Sequence, residues 1–463
     1  MRSPYLVPVI VGCAYLMQSL DSTVIATALP EIGKTFGEDP VRLNVAITSY
    51  LLSLAVFIPI SGWLADRFGG RTILVLAIGI FAAASVLCGI SQSIPELVGA
   101  RIVQGFGGAM MVPVGRLIIL RTMPKADLVQ AMSYLTVPAV MGPALGPPIG
   151  GFIATYGSWR WIFFINVPIG IVGVLLVMRF IANVREEHVP PLDLRGFVLT
   201  GVGLAALLYG FETMGRDFLP LWAVIGLLGV GAACLALFAI HARLTPEPIV
   251  DPELLRLPTV SASVLGGGLF RIGVGALPFL LAMQLQVAFG LTPFASGLIT
   301  FIGAVGALFT KFAAPPTIRN LGFRRVMIAN GVIGAIFLFA CALFSAETPH
   351  IVMLAILFVG GFFRSLQFTC IGTLGYAEVP PAMMSRANTL ATMAQQLFLS
   401  LGVGLAALIL HVSERARGGT AMTTTDIVVA YVIIAALGLL SVLYFVRLHP
   451  NVGADMSGYR PPR

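Results

Sequence analysis

Long apolar stretches separated by short polar loops run along the whole chain. Each stretch has about 20 residues, the length that a helix needs to cross the hydrocarbon core of a bilayer. The pattern therefore predicts an all-α polytopic membrane protein with fourteen spans. The expected spans are 6–29, 44–65, 72–91, 97–120, 128–155, 160–182, 195–213, 219–241, 260–287, 294–314, 325–345, 351–376, 384–411 and 426–447.

The composition agrees with this pattern. Of the 463 residues, 58% are hydrophobic and 10% are charged. Soluble domains carry roughly a quarter of charged residues, so a row of soluble domains is excluded. The first apolar stretch lacks the short core and small-residue cleavage site of a secretion signal, and we interpret it as the first span. The five cysteines and five histidines show no spacing typical of a metal site.

The basic residues predict the orientation of the chain. With both termini in the cytoplasm, 19 of the 28 Lys and Arg fall on the inner side, 6 fall outside and 3 lie within spans. This asymmetry is the one that the positive-inside rule describes. The net charge of +8 therefore indicates topology, and we expect no nucleic acid partner.

Two inner loops resemble each other. Segment 62–71 (GWLADRFGGR) joins spans two and three, segment 319–325 (RNLGFRR) joins spans ten and eleven, and Gly69 aligns with Gly322. Transporters built from related halves bind their substrate between the halves, near mid-membrane. We expect two six-helix bundles, at 1–184 and 259–448. A linker with two additional central helices lies between them at 185–258, and a cytoplasmic tail follows at 449–463.

Five segments resemble the major facilitator superfamily, in its fourteen-helix drug:proton antiporter branch. They are 20–30 (LDSTVIATALP), 62–74 (GWLADRFGGRTIL), 101–108 (RIVQGFGG), 142–151 (GPALGPPIGG) and 159–170 (WRWIFFINVPIG). The resemblance covers essentially the whole chain. It implies the major facilitator fold, and a proton-coupled antiporter that exports amphipathic small molecules by alternating access across the bacterial cytoplasmic membrane. We expect a monomer without a cofactor, driven by the proton gradient.

Asp21 and Arg101 are the candidate proton-coupling residues. Asp21 is the only carboxylate that we place well inside a span, where a charge is costly unless it faces a cavity or a partner. The helical rise puts both residues in the outer half of the membrane. A carboxyl group balanced between burial and a nearby cation can exchange protons near neutral pH. The resemblance also implies coupling roles for both; the alternative is a static ion pair.

Arg271 and Arg364 are expected near mid-membrane, in spans nine and twelve. The resemblance implies that these spans line a cavity with spans one and four, so that both arginines would share it with Asp21 and Arg101. One acid and three bases favour neutral, zwitterionic or anionic cargo over dications. The alternative is that the arginines bind backbone carbonyls or polar neighbours. Other candidates for the cavity wall are Gln18, Tyr50, Gln104, Tyr134, Met283, Gln284, Phe363, Gln367, Gln395 and Gln396.

Two further sets of residues are expected to act in conformational change. One is a gate latch on the inner side, although solvated loop charges would be the simpler interpretation; it comprises Gly62, Asp66, Arg67, Gly69, Arg71 and Arg116. The other is the antiporter motif of span five, whose small residues permit close packing and flexing, or packing alone. Its residues are Gly142, Gly146, Pro147, Gly150 and Gly151.

Other functions are weaker alternatives. A proton-coupled symporter, or a lipid or metabolite transporter on the same fold, would show much the same pattern. An intramembrane enzyme is the least favoured, because the sequence shows no paired catalytic carboxylates, metal cluster or nucleophile with a base.

Overall fold

The computed structural model describes residues 6–38, 43–214, 219–418 and 423–459. All regular elements in these ranges are helical, as the sequence predicted. The main helices are α1 (Leu6–Phe36), α2 (Asn44–Phe68), α3 (Gly70–Ile90), α4 (Ile94–Thr122), α5 (Leu128–Tyr156), α6 (Trp161–Phe180), α7 (Leu194–Thr213), α8 (Leu221–Leu244), α9 (Pro258–Ala288), α10 and α11 (the two arms of Pro293–Ala342), α12 (His350–Leu374), α13 (Pro381–Ala416) and α14 (Thr424–Val446).

The described helices include candidates for most of the fourteen expected spans. Twelve helices of the described chain are long and apolar enough to cross a membrane, with the bent helix Phe294–Ala342 counted once. A non-helical backbone at Gly322 divides that helix into α10 and α11. The 29-residue helix α5 is additional to the twelve. The structure is therefore consistent with fourteen spans.

The two inner loops share an unusual backbone conformation. Gly69 has φ 91° and ψ 139°, and Gly322 has φ 77° and ψ 157°. Only glycine adopts this region without strain, so each loop turns sharply between two helices at the same point. A Cβ at Gly69 would lie 2.2 Å from Asn183 Oδ1, and one at Gly322 would lie 3.3 Å from the Tyr459 ring. Asn183 and Tyr459 each follow the last helix of a predicted half, which supports the internal repeat.

The additional helices lie where the predicted halves meet. Helix α7 packs against α2 of the first half and α13 of the second, and α8 packs on α7. Glycines permit both close approaches: a Cβ at Gly201 would lie 3.0 Å from the Val56 carbonyl oxygen, and one at Gly404 would lie 2.6 Å from that of Phe211. The extra pair therefore extends the bundle along one side without entering its centre. The domain boundaries given above stay a prediction.

Candidate functional site

Asp21 of α1 and Arg101 of α4 form an ion pair. Arg101 Nη1 donates to Asp21 Oδ2 at 2.5 Å. The side chain of Arg101 is 0% exposed, and that of Asp21 is 1% exposed. Arg101 Nε also donates to the carbonyl oxygen of Ala46, at 3.1 Å. Arg101 Nη2 is buried without a hydrogen-bond partner among the described residues. The expected proximity of the two residues is therefore found, whereas their role in proton coupling stays a prediction.

Two amides complete the surroundings of the carboxylate. Asp21 Oδ1 accepts from Gln104 Nε2 at 2.9 Å and from Asn166 Nδ2 at 2.8 Å. Gln104 Oε1 accepts from Arg101 Nη1 at 2.6 Å, and Ser85 Oγ accepts from both amides, at 2.8 and 3.2 Å. Ser85 and Asn166 had no role among the expectations from the sequence. The signal for Asn166 was its position inside segment 159–170, as a polar residue among apolar ones.

A cavity of about 480 Å³ lies between the predicted halves. Helices α1, α2, α4 and α5 line one side, and α9, α12 and α13 line the other. Spans one, four, nine and twelve therefore do face a common space, as the resemblance implied. A volume in this range suits a small-molecule ligand.

Asp21 and Arg101 do not line this cavity, which corrects the expectation of one shared space. Tyr50 lies between the ion pair and the cavity: it forms part of the cavity wall, and the centre of its ring is 4.3 Å from Arg101 Cζ. Both charged side chains are fully enclosed by α1, α2, α4 and α6, because Ala46, Gln104 and Asn166 surround them. The proton-coupling candidates and the cavity are thus neighbouring compartments.

Three arginines line the cavity. Arg271 and Arg364 come from the second half, as expected, and Arg116 comes from α4 of the first. Arg271 Nη1 donates to the carbonyl oxygen of Ser263 at 3.2 Å, and Arg116 Nη2 donates to Gln395 Oε1 at 3.5 Å. No Asp or Glu lies among the described residues of the wall. The cavity is consequently positive.

The polar candidates divide into two groups. Those on the cavity wall are Gln18, Tyr50, Gln395 and Gln396. Those that lie elsewhere, against expectation, are Gln104, Tyr134, Met283, Gln284, Phe363 and Gln367. Gln284 Nε2 donates to the Cys341 carbonyl oxygen at 3.0 Å, Gln367 Nε2 donates to that of Met327 at 3.3 Å, and Phe363 lines a smaller space beside Arg364. The buried amides of Gln284 and Gln367 thus donate hydrogen bonds to backbone carbonyl oxygens of neighbouring helices.

The latch residue Asp66 joins the two halves on the predicted cytoplasmic side. Asp66 Oδ1 accepts from Arg121 Nη2 at 2.7 Å, and Asp66 Oδ2 accepts from Ser385 Oγ of α13 at 2.5 Å. Arg121 also pairs with Glu186, at 2.9 Å. A Cβ at Gly62 would lie 2.7 Å from Thr389 Oγ1, so this glycine allows α2 and α13 to touch. In this structure, the halves are closed below the cavity.

The other latch candidates have different positions. Arg67 is exposed, and Arg71 is half-buried. Arg116 does not lie at the latch; it lies on the cavity wall, because it is one and a half turns before Arg121 on α4. Arg121 and Ser385 were not expected at the latch, since Arg121 was only counted among the inner charges and Ser385 carries no charge at all.

The glycines of α5 pack on both sides of Asp21. A Cβ at Gly142 would lie 2.2 Å from Ser19 Oγ, and one at Gly146 would lie 2.1 Å from Thr23 Oγ1. Thr23 Oγ1 also donates to the carbonyl oxygen of Gly142, at 3.3 Å. By contrast, a Cβ at Gly151 would meet no atom within 4 Å. Gly150 is buried, and the side chain of Pro147 lies outside the described residues.

Comparisons with known proteins agree with this architecture. The family model of the Major Facilitator Superfamily matches residues 11–246 and 263–457. A protein of Salmonella heidelberg (strain SL476), named MdtD and provisionally assigned to multidrug resistance, is 36% identical over 451 residues, which are 96% of this chain and 94% of that protein. The MdtD of Escherichia coli O6:H1 is 36% identical over 454 residues, 96% of this chain and 95% of that protein.

Solved structures show the same fold. The human organic anion transporter MFSD10 superposes with a TM-score of 0.70 at 14% sequence identity, over 96% of this chain and all of that one. The proton:xylose symporter XylE superposes with a TM-score of 0.65 at 18% identity, over 96% of this chain and 95% of that one. The family match spans both halves of the chain and the relatives match it nearly end to end, so this protein belongs to the major facilitator superfamily and is a membrane transporter, not an enzyme.

Proposed function

We propose that the protein is a proton-coupled antiporter that exports amphipathic small molecules by alternating access. The observation that carries the proposal is the buried pair of Asp21 and Arg101 beside a cavity that lies between the halves. An enclosed carboxylate with a single cationic partner is a group whose protonation changes a large local interaction. The relatives assigned to multidrug resistance favour export.

Protonation of Asp21 would change the bonding of Arg101. The ionised carboxylate accepts from Arg101, Gln104 and Asn166 together. A proton on Asp21 removes the negative charge and leaves Arg101 with the neutral acceptors of Gln104 and Ala46. A buried cation without its counterion is unfavourable, so Arg101 is expected to shift towards another partner. That shift is the proposed conformational signal.

Tyr50 is the proposed link between proton and cargo. Its ring contacts Arg101, and the residue also lines the cavity. Cargo that contacts Tyr50 and a proton that displaces Arg101 would therefore act on the same side chain. Direct competition between cargo and proton at Asp21 is not compatible with this arrangement, because Asp21 is not on the wall. The exchange would depend on this indirect link.

Alternating access requires the latch to open. Asp66, Arg121 and Ser385 hold the halves together on the predicted cytoplasmic side. Export requires cargo to enter from that side, so the latch has to open in the loading step. The close packing of Gly142 and Gly146 on α1 gives α5 a direct contact with the helix that carries Asp21.

The positive, partly apolar cavity favours neutral, zwitterionic or anionic cargo over dications. The proton gradient would supply the energy without a cofactor, and the protein would act as a monomer in the bacterial cytoplasmic membrane. Both termini would face the cytoplasm, as the distribution of Lys and Arg indicates. Reporter fusions at the two termini test this orientation, and an active reporter on the outer side would contradict it.

Proteoliposomes test the transport mode. The purified protein is reconstituted with a pH-sensitive dye in the lumen, and cargo found by thermal-shift screening is added under a proton gradient. An antiporter should move protons opposite to cargo, and Asp21→Asn should abolish this coupling while Asp455→Asn, an exposed acid of the tail, should not. Proton flow in the same direction as cargo would establish a symporter instead. Unchanged coupling in Asp21→Asn would refute the proposed proton site.

A further inference from the structure

We propose that the central cavity is a binding site for amphipathic diacids, in which one acid group binds Arg271 of α9 and the other binds Arg116 of α4. This inference rests on the proposed function and names the cargo class of the same site. Dicarboxylates with an apolar body are the simplest members of the class.

The charge of the cavity has no counterpart on its wall. Arg116, Arg271 and Arg364 all line it, and the wall contains no carboxylate among the described residues. None of the three forms an ion pair within the described part of the chain. The nearest buried acid, Asp21, is already paired with Arg101 behind Tyr50. Uncompensated cations at membrane depth are unfavourable, so the site attracts anions.

Hydrogen-bond donors on the wall are free to bind an acid group. Arg271 is 3% exposed, and its Nε is buried without a hydrogen-bond partner among the described residues. Its Nη1 is held by a neutral carbonyl, that of Ser263. The hydroxyl of Tyr50, which is 1% exposed, is likewise buried and unbonded. A guanidinium with a free edge matches the two oxygens of a carboxylate better than any other side chain does.

A second cation comes from the other half. Arg116 of α4 and Arg271 of α9 line the same cavity. Arg116 Nη2 donates to the neutral Gln395 oxygen across the cavity at 3.5 Å, which is a long contact for a charged donor, and its other polar partners are the hydroxyls of Tyr15 and Tyr376. A single acid group would neutralise one of these two cations and leave the other unbalanced. A second acid group on the same molecule would neutralise both.

The rest of the wall is apolar. Leu54, Val112, Leu135, Val274 and Phe368 lie on it, among other hydrophobic side chains. The space of about 480 Å³ exceeds what two acid groups alone would fill. An aromatic or branched aliphatic body between the acid groups would remove this apolar surface from water, which favours binding in proportion to the area buried. The site therefore selects an amphipathic diacid over a small inorganic anion.

Bridging gives the diacid a mechanical role. Arg116 belongs to the first half and Arg271 to the second, so a ligand that binds both ties the halves together at the cavity. A ligand can shift a conformational equilibrium only by its difference in affinity between the states. A diacid that reaches both arginines in one state only would have that difference, whereas a monoacid held by one half would not. The second acid group is thus expected to matter for transport as well as for affinity.

A matched series of probes tests the inference with the full-length protein in detergent. The probes are naphthalene-2,6-dicarboxylate, its monomethyl ester, its dimethyl ester and 2,6-bis(trimethylammonio)naphthalene, which share one body and differ in charge. Binding is measured by titration calorimetry at fixed ionic strength. We expect the diacid to bind about tenfold or more tightly than the monoester, since a hydrogen bond to a charged group accounts for such a factor. The diester and the dication should bind more weakly still.

Variants of the two anchors locate the site. Arg271→Gln and Arg116→Gln should each weaken diacid binding by about tenfold or more and leave monoester binding less affected. Arg271→Lys, which keeps the charge but loses the planar fork, should fall between wild type and Arg271→Gln. The control is Arg256→Gln, an exposed arginine paired with Glu253 outside the cavity. Thermal unfolding of each variant without ligand shows whether it is folded.

Several results would overturn the inference. These are tighter binding of the dication than of the diacid, equal affinities for diacid and monoester, or unchanged diacid affinity in both folded Gln variants. The proposed antiport is tested separately in proteoliposomes. Coupled export of cations without diacid binding would refute this inference and leave the antiporter intact. Diacid binding to both arginines without coupled proton flow would support the inference and refute the antiporter.

Discussion

The ring centre of Tyr50 lies 4.3 Å from the guanidinium carbon of Arg101, and the same tyrosine forms part of the cavity wall. This contact links the charged pair on α1 and α4 to the space between the halves. A cation over an aromatic face is attracted to it, and more strongly where water is excluded. A displacement of either side chain therefore changes the interaction energy of the other.

Substitutions of Tyr50 should separate its two functions. Tyr50→Phe keeps the ring over Arg101 and loses the hydroxyl, so proton coupling should persist while diacid affinity falls. Tyr50→Leu removes the aromatic face, so the ratio of protons to cargo should fall and cargo should leak down its own gradient. Proteoliposome flux with a luminal pH dye measures both quantities. Normal coupling in a folded Tyr50→Leu would show that the signal travels elsewhere.

The Asp21–Arg101 pair should show strong coupling in a double-mutant cycle. Asp21→Asn and Arg101→Gln each leave one partner of a buried pair alone, which costs about 3–5 kcal/mol in other proteins. The double variant removes both charges and should be more stable than the sum of the single changes predicts. Thermal unfolding in detergent provides the comparison, with the exposed pair Glu253 and Arg256 as the reference cycle. Additive effects at Asp21 and Arg101 would contradict the buried pair.

Enlarging the glycines of α5 should impair transport in proportion to the contact. Gly142→Ala places a Cβ 2.4 Å from Ser19 Cβ and 2.8 Å from the Ser19 carbonyl carbon, so α1 and α5 must separate. Gly146→Ala meets Thr23 Oγ1 at 2.1 Å but the Thr23 carbonyl carbon only at 3.4 Å, so the two backbones have to separate less. We expect a larger loss of transport rate in Gly142→Ala than in Gly146→Ala. Gly151→Ala, with open space around it, is the matched control and should transport at the wild-type rate.

Release of the latch should open the predicted cytoplasmic side. Asp66→Ala removes the acceptor shared by Arg121 and Ser385. A cysteine introduced at Thr392 on the cavity wall, with Cys13 replaced because it is exposed, reports access from that side. Labelling by a charged maleimide should become several-fold faster in Asp66→Ala than in the parent. Arg67→Ala, an exposed charge of the same loop, should leave the rate unchanged.

Much of the architecture follows from the sequence. Apolar stretches of spanning length predicted the helices, and the aligned glycines Gly69 and Gly322 predicted equivalent loops, because their backbone geometry excludes other residues. The pairing of Asp21 with Arg101 was also foreseeable, since charges at membrane depth require partners. Likewise, the expectation that Arg271 and Arg364 face a cavity follows from the cost of placing them in lipid.

Which face of each helix points inward was decided only by tertiary packing. Helices in a membrane are apolar towards lipid and towards each other, so their periodicity does not separate the two faces. Gln104, Gln284 and Gln367 were expected on the cavity wall, but neutral amides are also satisfied by carbonyls and side chains of adjacent helices, and that is where they lie. The barrier that Tyr50 forms between Asp21 and the cavity depends on how α2 packs on α4, over a separation of some fifty residues that no local pattern encodes.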